Sequence, residues 1–334
     1  MSRWSAARLI ETVALCAAAW IAVALLGLTV GSSGEIGWPS ASVFYIRREY
    51  VLLASLVGAA LASAGVAYQA VLRNPLADPY LLGVSSGSML AAYLWQFPAV
   101  TIALVFGEQA FAFAGAMIAV GIVFAIASRC GRLEPITLLL VGVIVNAVNG
   151  SVFLFVNAIV KDPAGQGGPL TFLVGGLQTN LRKGELQTAA AIIAAGWGVL
   201  MYVAGELNVA SLSEGEASSL GVRIHRLRWI GLVVASLITA AAVAVSGPIG
   251  FIGLICPHLA RLIVGNDQRR LLPLATALGA SLLCVADAVT RLLAREDAAN
   301  TALPVGVLTG LLGGPFFLIL LLQTRRRAAL AEVG

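Results

Sequence analysis

The clearest ionisable pair within an apolar stretch of this chain is Asp287 and Arg291, four residues apart. That spacing places both on one helical face, where they form either a structural ion pair or one step of a proton relay. Asn146 and Asn149, three residues apart in another apolar stretch, present two amides on one face. Such amides bond a neighbouring helix or line a watery path. The two histidines, His225 and His258, lie in different segments, and no paired metal-ligand spacing occurs, so no metal site is expected. Cys16, Cys130, Cys256 and Cys284 are far apart with no C-x-x-C pair and read as small apolar packers. The chain has no G-x-x-x-x-G-K-[ST], H-E-x-x-H or G-x-S-x-G element. It is therefore not expected to hydrolyse ATP by itself or to act as an autonomous enzyme.

The elements that position these residues follow from composition. The 334 residues are 59% hydrophobic and 11% charged, with a mean hydropathy of +0.94. Soluble domains are about 45–50% apolar and about 25% charged, so too little charge is present to cover a soluble globule. The apolar content suffices for roughly ten helices of the roughly 20 residues a bilayer crossing needs. Ten apolar runs can be drawn, beginning with Val13–Val30, Val51–Leu72, Leu81–Val105, Ala110–Ser128 and Ile136–Val160. Leu186–Ala204, Trp229–Ser246, Ile249–Val264, Leu271–Leu293 and Val305–Leu322 complete the set. Their lengths favour helices over barrel strands. The first run is too long for the apolar core of a signal peptide and is read as a span. An all-α polytopic membrane protein results, a single transmembrane domain over 1–334 with its longest inner polar stretch at about 205–228.

Ten spans return both termini to one side. Of the 21 basic residues, fourteen fall on that side and seven on the other, so the positive-inside rule makes both termini cytoplasmic. The net charge of +5 is then a topological signal and not a sign of nucleic-acid binding.

Three segments stand out. Val71–Ser88 reads VLRNPLADPYLLGVSSGS, in which Asn74, Pro75, Asp78 and Pro79 suit a turn, and Gly83 and Gly87 form a G-x-x-x-G pair that allows close backbone approach. Gly247–Gly265 reads GPIGFIGLICPHLARLIVG, where regularly spaced glycines before Pro257 imply a tightly packed or broken helix. There His258 is read as a packing residue, and Arg261 as complementing a helix C-terminus. Leu303–Leu322 carries Gly306 and Gly310 on one face and then Gly313, Gly314 and Pro315, which make the middle of the span deformable.

In this order the three segments resemble the permease subunits of ATP-binding-cassette importers for iron–siderophores, heme and cobalamin, the FecCD family. The N-P-L-A-[DE]-P-x-x-L-G-[VI]-S-x-G element matches Asn74–Gly87, G-x-I-x-F-[IV]-G-L-x-x-P-H-x-x-R matches Gly247–Arg261, and L-P-x-G-x-x-T-x-x-x-G-x-P-x-F matches Leu303–Phe317. The resemblance implies the type II importer architecture of ten helices, a homodimer around a central path, two ATP-binding subunits in the cytoplasm and a periplasmic or surface binding protein. ATP and magnesium would be used by the partner subunit, with no cofactor on this chain, in a bacterial inner membrane whose lipid surrounds it. It further implies an ATPase-coupling knob containing Glu214, Glu216, Gly221, Arg223 and Arg226. Arg47 and Arg291, with Arg48 as a substitute, would dock the binding protein, and Asn146, Asn149, Gly310 and Gly313 would border the path. The chain departs from the family where Tyr50 replaces a second arginine, where Ala302 replaces a glutamate, and in extra residues at 295–300.

The leading expectation is an importer permease for an iron chelate, siderophore or heme, with cobalamin as the alternative cargo. A proton-coupled carrier, supported by Asp287 alone, and a scaffold without transport are the other classes weighed.

Overall fold

A computed structural model describes residues 6–31, 36–97, 100, 107–129, 135–160, 174–177, 181, 184–210, 224–293 and 303–333. Among these residues the chain forms ten α-helices. They are α1 (Ala6–Thr29), α2 (Ala41–Val71), α3 (Val84–Trp95), α4 (Glu108–Arg129) and α5 (Pro135–Val160). The rest are α6 (Glu185–Ala210), α7 (Ile224–Ser246), α8 (Ile252–Val264), α9 (Gln268–Leu293) and α10 (Val305–Val333). A short 3-10 helix, Pro79–Leu82, precedes α3.

Seven of these helices are long and apolar enough to cross a membrane. Two of the expected runs need correction. The run Leu81–Val105 is not one helix: Leu81 and Leu82 belong to the 3-10 turn, Gly83 adopts φ +83°, and α3 has only 12 residues. The run at Ile249 starts later, and α8 has 13 residues. At a rise of about 1.5 Å per residue, helices this short fall well below a hydrocarbon core of about 30 Å.

The bundle is built around α2. Its C-terminal two thirds is apolar or small on every side, and eighteen of its residues from Val51 to Val71 are buried, as expected of a helix enclosed by others. Small residues set the approach. A Cβ on Gly58 of α2 or on Gly279 of α9 would overlap the facing helix, and Gly65 lies equally close to Gly253 of α8. Such glycine contacts let helices pack where lipid supplies no hydrophobic drive. A hydrogen bond of 2.7 Å between the Tyr68 and Ser236 hydroxyls, both buried, ties α2 to α7.

Candidate functional site

The turn between α2 and α3 is held by its own side chains. Arg73 takes φ +48° to end α2, Asn74 Oδ1 accepts from the Leu76 N–H at 2.9 Å, and Asp78 Oδ1 accepts from the Tyr80 N–H at 3.0 Å. Pro79 supplies the fixed φ of the first helical position. Burial pushes the Asp78 carboxyl up to about 6, while the Tyr80 and Phe251 N–H groups favour its charged form. The expected close approach at the two glycines is present but split between partners: Gly87 packs against Gly115 of α4, and Gly83 faces Val145 of α5.

The second segment breaks between α7 and α8. Gly247 adopts φ +65°, and Phe251 adopts φ +69°, a left-handed conformation that a bulky residue keeps only when its surroundings enforce it. The freed backbone groups find partners in other broken segments. The Gly175 N–H donates to Pro248 O at 2.8 Å, the Gly176 N–H to Ser246 O at 2.9 Å, and the Gly306 N–H to Gly175 O at 2.9 Å. The Ile249 N–H donates to the Tyr80 hydroxyl at 2.6 Å. Irregular backbone inside an apolar bundle is stable only when satisfied in this way.

The third segment closes the cluster. The Phe251 ring lies where a Cβ on Gly313 of α10 would sit, while Gly310 has open space around it. His258 makes an edge contact with Phe316 at 5.7 Å between ring centroids. Arg261 donates to Gln69 Oε1 at 3.0 Å, and Gln69 Nε2 to Gly253 O at 3.4 Å, so α8 is bound to α2. Among the described residues no group of histidine, cysteine and carboxylate side chains is arranged to hold a metal ion.

Both α5 amides point back into this cluster. Asn146 Nδ2 donates to Tyr80 O at 3.0 Å, and Asn149 Nδ2 to Ser86 Oγ at 2.9 Å. Asn146 thus bonds the 3-10 turn and Asn149 the first turn of α3, and the opposite face of α5, with Leu140, Ile144 and Val148, is exposed apolar surface.

The outer arginines bond backbone carbonyls near the end of α1. Arg291 is 8% exposed, with its guanidinium 2.7 Å from Asp287 Oδ2. It also donates to Val30 O at 2.7 Å and to Gly27 O at 3.4 Å, and it lies over the Tyr50 ring. Arg47 donates to Leu28 O at 3.0 Å and to Gly37 O at 2.9 Å. Both cations complete the carbonyl end of α1, where the helix dipole favours positive charge. Arg291 is engaged by Asp287 and two backbone carbonyls, whereas Arg47 is half-exposed and uses one guanidinium nitrogen for its two carbonyl partners. Arg48 is the exposed one of the three, beside Tyr45.

At the opposite end, Arg226 is exposed in the first turn of α7. Glu214, Glu216, Gly221 and Arg223, together with Ala302 and residues 295–300, lie outside the described residues. Nearby, Asn208 bridges α6 to α9 through Asp267 Oδ1 at 2.9 Å and the Gln268 N–H at 2.7 Å.

Several members of the cluster were not singled out from the sequence: Tyr80, Ser86, Phe251 and the pair Gly175–Gly176. Tyr80 follows the Asp78–Pro79 turn and Phe251 sits among glycines, so both lay inside legible motifs. Gly175–Gly176 offered only a glycine pair as a signal.

The FecCD transport family matches residues 18–323. The chain is 38% identical over 316 residues to a cobalamin import system permease of Halobacterium salinarum, covering 89% of this chain and 82% of that protein. It is also 38% identical to a hemin transport system permease of Yersinia pestis, covering 84% of this chain and 83% of that one. Its fold is similar to a metal-chelate type ABC transporter in an inward-facing conformation, with a TM-score of 0.79, 28% identity, and coverage of 94% and 99% of the two chains.

Proposed function

The chain belongs to the FecCD transport family, and from that premise we propose that it carries an iron chelate, siderophore or heme, across a bacterial cytoplasmic membrane by alternating access. It is a permease of the type II importer class that serves iron chelates, heme or cobalamin. Two copies would face each other across the path, each with a separate ATP-hydrolysing subunit, and a binding protein would deliver cargo to the opposite side. Both termini would lie in the cytoplasm, on the side richer in arginine.

The observation that carries this reading is the cluster joining Tyr80, Ile249, Phe251 and Gly313. It unites the three motifs at a set of broken helices, the arrangement with which carriers build a site that opens alternately to each side. The exposed apolar faces of α5 and α10, which include Ile144, Val148, Leu311 and Leu318, would border the path between copies. Gly310 and Gly313 let α10 tilt against the cluster, while Asn146 and Asn149 hold the turn that α5 must carry with it. Glu214, Glu216, Gly221, Arg223 and Arg226 would form the charged knob that seats in the ATPase groove, suited to steering and register.

Cobalamin is the second reading, favoured by the Halobacterium salinarum relative. Binding protein loaded separately with iron–siderophore, heme or cobalamin is added to the reconstituted permease–ATPase complex, and ATP hydrolysis is measured. Stimulation by an iron chelate alone supports the first reading. Stimulation by cobalamin alone selects the second, and none by any cargo contradicts both.

A further inference from the structure

A cleft of about 670 Å³ opens between α1, α2, α6 and α9. Its floor is the close pair α2 and α9, and its walls are α1 and α6, which scarcely touch each other. Each wall carries a tryptophan fixed to the floor: Trp20 Nε1 donates to Ser55 Oγ at 2.9 Å, and Trp197 Nε1 to Thr276 Oγ1 at 3.0 Å. With both indole N–H groups satisfied, the rings offer apolar faces to the gap. Alanines at 59, 190 and 277 leave the space between them unfilled.

The cleft is not uniformly apolar. At the end where α1 meets α2 its lining includes Arg48 and Glu49, both exposed, so one cation and one carboxylate stand side by side above an apolar slot. From Arg48 to Ala59 the slot runs eleven residues along α2, about 16 Å at helical rise, the length of a good part of an acyl chain within one leaflet. Because the walls are apart, the slot is open to the bilayer along its side.

We propose that this cleft holds one acyl chain of a zwitterionic, amine-bearing phospholipid, with Arg48 taking the phosphate and Glu49 the ammonium of its headgroup. A phosphate beside a cation and an ammonium beside a carboxylate match the two charges in a way that a purely anionic headgroup does not. The assignment sets Arg48 against lipid and not against a docking protein, and it does not rest on the transport reading.

The test uses the full chain, purified in detergent after incubation with vesicles of phosphatidylethanolamine or of phosphatidylglycerol, and native mass spectrometry counts retained lipid. The expected result is one phosphatidylethanolamine per chain, lost in Ala190→Trp, which fills the slot from its wall. Arg48→Gln, an exposed change that leaves the core intact, lowers retention roughly fivefold, the effect of one surface cation on a lipid headgroup. Glu49→Gln removes the preference for the amine-bearing lipid. Equal retention of both lipids, or retention unchanged by Ala190→Trp and Arg48→Gln, overturns the proposal.

Discussion

The ring of Phe251 fills the space that a Cβ on Gly313 would occupy. Phe251 holds a left-handed backbone at φ +69° in order to place that ring, so the contact fixes a strained residue between α7 and α8 against a notch in α10. Gly313→Ala is expected to force the ring or the helix aside, at about 1–3 kcal/mol for an overpacked site. Gly310→Ala, one turn away in open space, is expected to be neutral or slightly stabilising through helix propensity. Thermal unfolding of the two variants in detergent checks the contrast.

The pair Asp287–Arg291 is buried and shared with the end of α1. Arg291→Met strands a buried carboxylate and should cost about 3–5 kcal/mol. Adding Asp287→Leu to it should cost less than the sum of the two single changes, read as a double-mutant cycle of unfolding midpoints. Asp287→Asn is expected to keep ATP-dependent uptake. Its loss in a normally stable protein would favour a proton relay.

Arg47 caps the corner between α1 and α2 through two carbonyls. Arg47→Ala should lower stability by about 1.5–3 kcal/mol, the range for hydrogen bonds from a charged group. Arg48→Ala, on the exposed side of the same turn, should leave the unfolding midpoint unchanged.

Asp78 contributes a pH dependence with a definite sign. Its folded-state pKa, about 6, lies above the unfolded value of about 3.9, so the folded chain binds more protons between those two values. Stability from this group is therefore greatest below about pH 4, falls as pH rises to about 6, and is level above that. Asp78→Asn keeps an oxygen for the Tyr80 N–H and removes the trend. The variant should gain on the parent as pH rises from 4 to 6, measured by unfolding midpoints across that range.

Much of this architecture is written locally. Apolar runs locate most helices, because a bilayer crossing leaves a long composition signal, and the four-residue spacing of Asp287 and Arg291 already implied a pair. The run from Leu81 reads as one span because its hydropathy continues past a break set by Asp78, Pro79 and the positive φ of Gly83. Arg47 and Arg291 read in the sequence as docking candidates on the outer side, and their carbonyl partners are tertiary. Nothing near them in the chain reveals that the last carbonyls of α1 lie alongside. The partners of Gly175 and Gly176 are likewise tertiary, since a glycine pair tells of backbone freedom and not of the segment it will bond. The three motifs were legible as sequence, but their meeting at Tyr80 and Phe251 required the fold.

ATP-driven import is read out as cargo accumulation in proteoliposomes. The permease is reconstituted with its ATPase and binding protein, and uptake of an iron chelate is measured with ATP, without ATP, and with a proton gradient alone. Accumulation is expected only with ATP and both partners present, and accumulation driven by the proton gradient without the ATPase would rule out ATP-driven import.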